Sequence, residues 1–174
     1  MESAIKIISG GQTGVDRAAL DVALDLGIPV GGWCPRGRWA EDGPIPERYP
    51  LVETRSRDVN VRTQRNVECS TATLVLTRGS PMGGTRFTVE FAQTLRRPLL
   101  VVDLSQGSGD PVDQIAQWIE QVRPAVLNIA GPRESGAPGI SEQAAQVLSA
   151  VLERVPVTGE TPLEAETAPS PPAG

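Results

Sequence analysis

The stretch Ala4-Ile5-Lys6-Ile7-Ile8-Ser9-Gly10-Gly11-Gln12-Thr13-Gly14 decides the fold. Ala4 to Ser9 reads as a short, mostly apolar strand broken by a glycine pair, and the pattern that follows is helical from about Val15 to Leu26. Leu20, Ala23 and Leu24 fall at i, i+3 and i+4, while Arg17, Asp21 and Asp25 share the opposite face. Thr13 and Asp16 have capping-box spacing, and Gly27 closes the helix. A strand that turns through glycines into a helix N-terminus is the unit of an α/β sheet. Its free amides and helix dipole favour an anion, and Gly10, Gly11 and Gly14 let a phosphate approach the backbone closely. The segment is not a Walker A loop, since no Gly-Lys-Ser/Thr follows. It is not the dinucleotide fingerprint either, because its glycine spacing differs.

Working outward, short β-branched runs alternate with helical patterns. Strands are expected at Val30 to Trp33, Leu51 to Thr54, Ala72 to Thr77, Pro98 to Leu104 and Ala125 to Ala130. Helices are expected from Asp58 to Cys69, from Thr85 onward with Phe87, Phe91 and Leu95 four apart, and after Asp110-Pro111, an N-cap followed by proline at the first helical position. A last helix turns Ala144, Val147, Leu148, Val151 and Leu152 toward the sheet. The alternation predicts a Rossmann-like α/β fold: a doubly wound, mostly parallel sheet with helices on both faces. Residues 1–155 form one ligand-binding domain, and 156–174, rich in Pro, Thr and Glu, read as a disordered acidic tail. Between Trp33 and Tyr49 runs a long Pro/Gly/Arg-rich excursion, a length associated with function or disorder.

Composition removes several chemistries. With no histidine there is no Ser-His-Asp triad, Cys-His pair or imidazole shuttle. Cys34 and Cys69, the only cysteines, cannot build a disulfide framework or an all-cysteine metal site. The absence of a long apolar run or a leader-like N-terminus predicts a cytoplasmic protein without a membrane partner. The net charge is -5, but Glu160, Glu164 and Glu166 in the tail supply most of it, and the near-balanced body argues against nucleic-acid binding. Lys6 is the only lysine among 16 basic residues, so the remaining cations are arginines, suited to bidentate contacts with phosphate.

The candidate site gathers at the C-terminal edge of the sheet, where open α/β folds hold ligands. One part is Gly10 to Gly14 with Arg17. A second is Gly83-Gly84-Thr85, again between a strand and a helix, with Thr88 one turn on. Arg36 and Arg38 in the excursion, Arg62 and Arg65 one turn apart on the helix from Asp58 to Cys69, Asn128 and Arg133 near the last strand converge there as a set, and Trp33 offers a face on which a flat heterocycle can stack.

Five ordered motifs resemble a known family: GGQTGVDRAALDVA (10–23), WCPRGRWAEDGPIPERYPLVE (33–53), RTQRNVECS (62–70), GGTRFT (83–88) and LNIAGPRESGAPGI (127–140) look like the molybdenum-cofactor carrier proteins. These belong to a Rossmann-like group that includes the lysine-decarboxylase-like phosphoribohydrolases and the DNA-processing protein A domain. The resemblance implies a homo-oligomer, dimer or tetramer, that holds the cofactor (molybdopterin) by its pterin and phosphate without transforming it, with a molybdoenzyme or a cofactor-synthesis protein as partner. It places phosphate contacts on Gly11, Gln12, Thr13, Gly14, Gly83, Gly84 and Thr85. Two positions depart from the family pattern: Thr71 stands where Asp is common, and Gly136 where a Lys often follows Arg-Glu-Ser.

Two alternatives stand beside the carrier: a nucleotide or nucleotide-derivative sensor, and an enzyme cleaving nucleoside monophosphates. The hydrolase motif Pro-Gly-Gly-x-Gly-Thr-x-x-Glu is only approximated by residues 81–90. Its third glycine is missing, and the longer spacing from Thr85 to Glu90 rotates that carboxylate by roughly 200 degrees on a helix.

Overall fold

The computed structural model describes residues 5–105 and 109–155; the expected acidic tail lies outside them. Five parallel strands make the main sheet: β1 (Lys6–Ile8), β2 (Val30–Gly31), β7 (Ala72–Thr77), β8 (Leu99–Asp103) and β9 (Val126–Ala130). Between β2 and β7 the chain forms four two-residue strands: β3 (Trp33–Cys34) pairs with β6 (Val52–Glu53), and β4 (Trp39–Ala40) forms a hairpin with β5 (Gly43–Pro44). The helices are α1 (Val15–Asp25), α2 (Val59–Glu68), α3 (Gly83–Thr94), α4 (Pro111–Val122) and α5 (Ile140–Leu152).

The doubly wound expectation holds. On one face Ile7, Leu74, Leu76, Leu127 and Ile129 pack beneath α1, α4 and α5, while α2 and α3 pack on each other over the other face. Every residue of β7 is buried, as a parallel strand covered on both sides requires. The sheet order is β2-β1-β9-β7-β8. Counted from β9, it reads 3-2-1-4-5, the order of the dinucleotide-binding fold, so this chain is that fold with its first strand and helix moved to the end. The direction of winding reverses between β9 and β7, which makes that crevice the topological switch point.

Several expected elements shift for local reasons. Strand 30–33 splits at Gly32, whose φ of +129° and close approach to the Ser9 backbone no side chain could share. The Thr13–Asp16 capping box does not form: Gly14 is the N-cap, and the Thr13 hydroxyl donates to Glu41 instead. Helix α3 begins at Gly83 rather than Thr85, because the Met82 carbonyl already accepts from the amides of Thr85 and Arg86. Asp110 does cap α4, accepting from Val112 N at 2.9 Å.

Candidate functional site

Three loops leave the C-terminal ends of adjacent strands: 9–14 after β1, 131–139 after β9 and 78–82 after β7. The two glycine loops named from sequence do not adjoin, since β9 stands between their strands. Loop 131–139 fills the middle, and the first loop is welded to it. A Cβ on Gly14, at φ +81°, would lie 2.2 Å from the Pro132 carbonyl oxygen. On the other side, Arg78 reaches across to the Pro138 carbonyl at 2.6 Å and to Gln143 at 2.8 Å.

Asp16 ties this edge together from below. It is 3% exposed and accepts from Arg62 Nη1 at 3.2 Å, with the backbone amides of Gln12 and Gly131 also engaged. Burial pushes its carboxyl up from the usual aspartate range, and Arg62 and those amides pull it back. Arg62 lies over Gly10, whose added Cβ would meet the guanidinium. The sequence carried a signal for this: Asp16 sits four residues before Leu20, on the buried stripe rather than the charged face.

Two further carboxylates, near the site in sequence but expected to be solvated or capping, occupy the crest. The hairpin β4–β5 carries Glu41 and Asp42 at its tip. Glu41 accepts from the Thr13 hydroxyl, from Ser135 N at 3.1 Å and from Ser135 Oγ at 2.5 Å, with Arg133 Nε 3.5 Å away. These donors hold its carboxyl below the usual glutamate range. Asp42 takes both terminal nitrogens of Arg17, and that pairing likewise depresses its titration. Gln12 Oε1 accepts from Glu41 N and Thr13 N, both at 3.0 Å, locking the tip to the first loop.

The remaining residues divide by use. Arg38 is scaffold: its guanidinium donates to the carbonyls of Ile45, Leu51, Pro46 and Tyr49 at 2.9 to 3.1 Å, holding the small core of Leu20, Cys34, Ala40, Ile45, Tyr49 and Leu51. Gly11 packs against Leu51 and Ile45 of that core. Asn128 is 2% exposed within β9, reaching Thr73 at 3.5 Å, and the Thr88 hydroxyl is spent on the Gly84 carbonyl. Trp33 and Arg65, 6.0 Å apart in a cation–π contact, wall a separate cleft of about 410 Å³ between α2 and the β3–β6 pair. Arg36 is exposed on the outer turn of the excursion. Gly83 and Gly84 are open: an added Cβ meets nothing within 4 Å, and no side chain caps α3. Thr71 bonds the backbone of Val126 in both directions, tying the start of β7 to β9 where the family pattern has Asp. A side chain at Gly136 would meet only Arg133, so the missing lysine is not excluded by space. Among the described residues no cluster of His, Cys, Asp and Glu is placed to hold a metal ion, and no helix is long and apolar enough to cross a membrane.

Comparison with known proteins converges on this geometry. Residues 7–152 match the family described as "Circularly permutated YpsA SLOG family". The crystal structure of a protein named "Putative molybdenum carrier protein", from Syntrophus aciditrophicus SB, superposes with a TM-score of 0.81 at 43% identity, covering 87% of this chain and 98% of that one. No curated protein matches.

Proposed function

Because the chain belongs to the circularly permutated YpsA SLOG family, we propose that it binds a phosphorylated heterocycle at the C-terminal edge of its sheet and carries the molybdenum cofactor as cargo without turnover. The observation that carries this reading is the 43% identity, over nearly the whole of both chains, to a protein named for molybdenum carriage. The geometry supports it: the uncapped, unobstructed Gly83-Gly84 turn borders the switch-point crevice, and helix N-terminal amides suit a phosphate. The carboxylates around the crevice support binding over chemistry. Asp16, Glu41 and Asp42 are each engaged by donors, and Glu90 pairs with Arg86 on the exposed face of α3.

The 3-2-1-4-5 order, shared with dinucleotide-binding sheets, favours a nucleotide as the second reading. A cytoplasmic homo-oligomer that exchanges cargo with a molybdoenzyme or a cofactor-synthesis protein completes the proposal; exposed Met82 and Leu95 at the two ends of α3 are apolar surface a second copy would cover.

The experiment is titration of the purified protein with molybdenum cofactor, AMP and ADP-ribose, with mass spectrometry of copurifying small molecules and a Gly84→Val variant alongside. Cofactor binding lost in Gly84→Val, without free base or phosphate released, is the expected result. Equal binding by a folded Gly84→Val moves the phosphate away from α3, and sustained release of base from AMP converts the protein into a hydrolase.

A further inference from the structure

Glu41 and Asp42 sit where an incoming anion would find its best donors. The Glu41 carboxylate draws on two hydroxyls, one amide and one guanidinium, supplied by Thr13, Ser135 and Arg133. Asp42 engages Arg17 through both terminal nitrogens, while Arg17 Nε is buried without a partner among the described residues. Hydroxyls, an amide and arginines converging from two loops are the donor set that phosphoryl oxygens take. Here the chain's own carboxylates fill it.

Only the tip of the element that brings them can move, because Ala40 and Ile45 are buried in the small core and Arg38 ties its base. The hairpin β4–β5 pairs only with itself and contributes no strand to the main sheet. Its outer side is open, with Trp39 53% exposed. Gly43, at φ +111°, follows the tip and has open space around it, so displacement is confined to residues 41–43 and costs the Glu41 N bond to Gln12. The charges also balance. A phosphomonoester carries roughly -1.5 to -2 at neutral pH, close to the two carboxylates it would replace.

We infer that Thr13, Arg17, Arg133 and Ser135 form a phosphoryl subsite apart from the Gly83-Gly84 turn, whose resting occupant is the Glu41-Asp42 hairpin tip, displaced when a phosphoryl group binds there. The inference rests on the proposed binding of a phosphorylated ligand at this edge and adds its regulation. The tip is a resident competitor: it keeps the donors satisfied in the empty protein and sets the phosphate affinity a ligand must exceed. Ser135 joins the site as a contact not among the candidate residues read from sequence.

The test uses inorganic pyrophosphate and AMP as probes, with calorimetric titration of the parent protein, Glu41→Gln/Asp42→Asn and Arg133→Gln. Because apparent affinity scales with the fraction of open site, removing the competitor is expected to tighten pyrophosphate binding by about tenfold or more. Arg133→Gln weakens it. In the parent, pyrophosphate should speed amide hydrogen exchange across residues 41–43, a readout that survives if the double variant fails to fold. If the parent binds but the double variant binds equally or more weakly, or if the probe slows exchange at the tip, the tip is a permanent tie and the displacement is wrong while phosphate binding at this edge stands. Binding of neither probe by any variant overturns both.

Discussion

Replacing Arg38 by Met tests whether the excursion is a scaffold or a ligand arm. The guanidinium donates to four backbone carbonyls, those of Ile45 at 3.0 Å, Leu51 at 3.1 Å, and Pro46 and Tyr49 at 2.9 Å. The Pro46 bond is exposed, and water replaces it at little loss. The other three are partly buried, and at about 1 kcal/mol net for each bond the variant loses about 3 kcal/mol. Methionine keeps most of the aliphatic stem, so packing loss adds little, and the φ of +54° at this position stays strained in both proteins. For a domain of this size each kcal/mol moves the melting temperature by roughly 2–4 °C, giving an expected fall of about 6–12 °C. Thermal unfolding followed by circular dichroism, with hydrogen exchange at the Ile45 amide that donates to the Arg38 carbonyl at 2.7 Å, reads both the global and the local effect. A variant that melts within about 2 °C of the parent but loses affinity for a phosphorylated probe would refute the scaffold role and make Arg38 a ligand contact.

Gly14→Ala should lose more than about 3 kcal/mol in chemical denaturation, since it combines a left-handed φ with a Cβ 2.2 Å from the Pro132 oxygen, whereas Gly84→Ala, open on all sides, should be neutral or gain about 0.5 kcal/mol. Glu41 titrates below its usual value in the folded protein, so the stability it contributes is present above the unfolded glutamate pKa of 4.5 and is lost as pH falls through the lower folded value. The gap in melting temperature between the parent and Glu41→Gln should therefore be constant above about pH 5.5 and narrow as the pH drops toward 3. A chain rearranged so that residues 124–155 precede Ile5, joined from Val155 by a short flexible linker, should fold to the same far-UV spectrum with a loss of no more than about 2 kcal/mol; failure to fold would contradict the permuted topology.

The fold was legible wherever one local rule dominates. Ala72 to Thr77 is uniformly apolar or β-branched and became β7 with the expected bounds, and Asp110-Pro111 opened α4 as a cap and N1 proline should. The excursion was not legible, because its order comes from contacts distant in sequence. Cys34, Ala40, Ile45, Tyr49 and Leu51 are too dispersed to show a period, and the group that joins the backbones of the last three is a charged side chain, Arg38. The geometry of the candidate site was legible in part. Gly10 to Gly14, Arg17, Gly83, Gly84 and Arg133 do gather at one edge, and Arg62 reaches it from α2. Trp33 and Arg65 face a different cleft, and Glu41, near the site in sequence but expected to be a solvated or capping carboxylate, has partners 28 and 94 residues away that no local pattern shows.

The order of the strands explains why the glycine motif that opens the chain does not match a phosphate fingerprint. In the unpermuted order the loop at the switch point follows the first strand; here that loop follows β9, and the opening motif follows what is physically the second strand. Its glycines accordingly admit chain rather than ligand: Gly14 against the Pro132 carbonyl, Gly10 beneath Arg62, Gly11 against Leu51 and Ile45. Gly131, with an added Cβ 2.3 Å from the Leu76 carbonyl, does the same between β9 and β7. Close packing of these loops brings Thr13 and Ser135 onto one carboxylate, so the glycines act on the proposed phosphoryl subsite through the hydroxyls they position. Gly83 and Gly84 have the opposite role. With nothing packed against them, their absent side chains leave the crevice side of α3 clear, and under the proposed function a substitution there acts on ligand access before it acts on the fold.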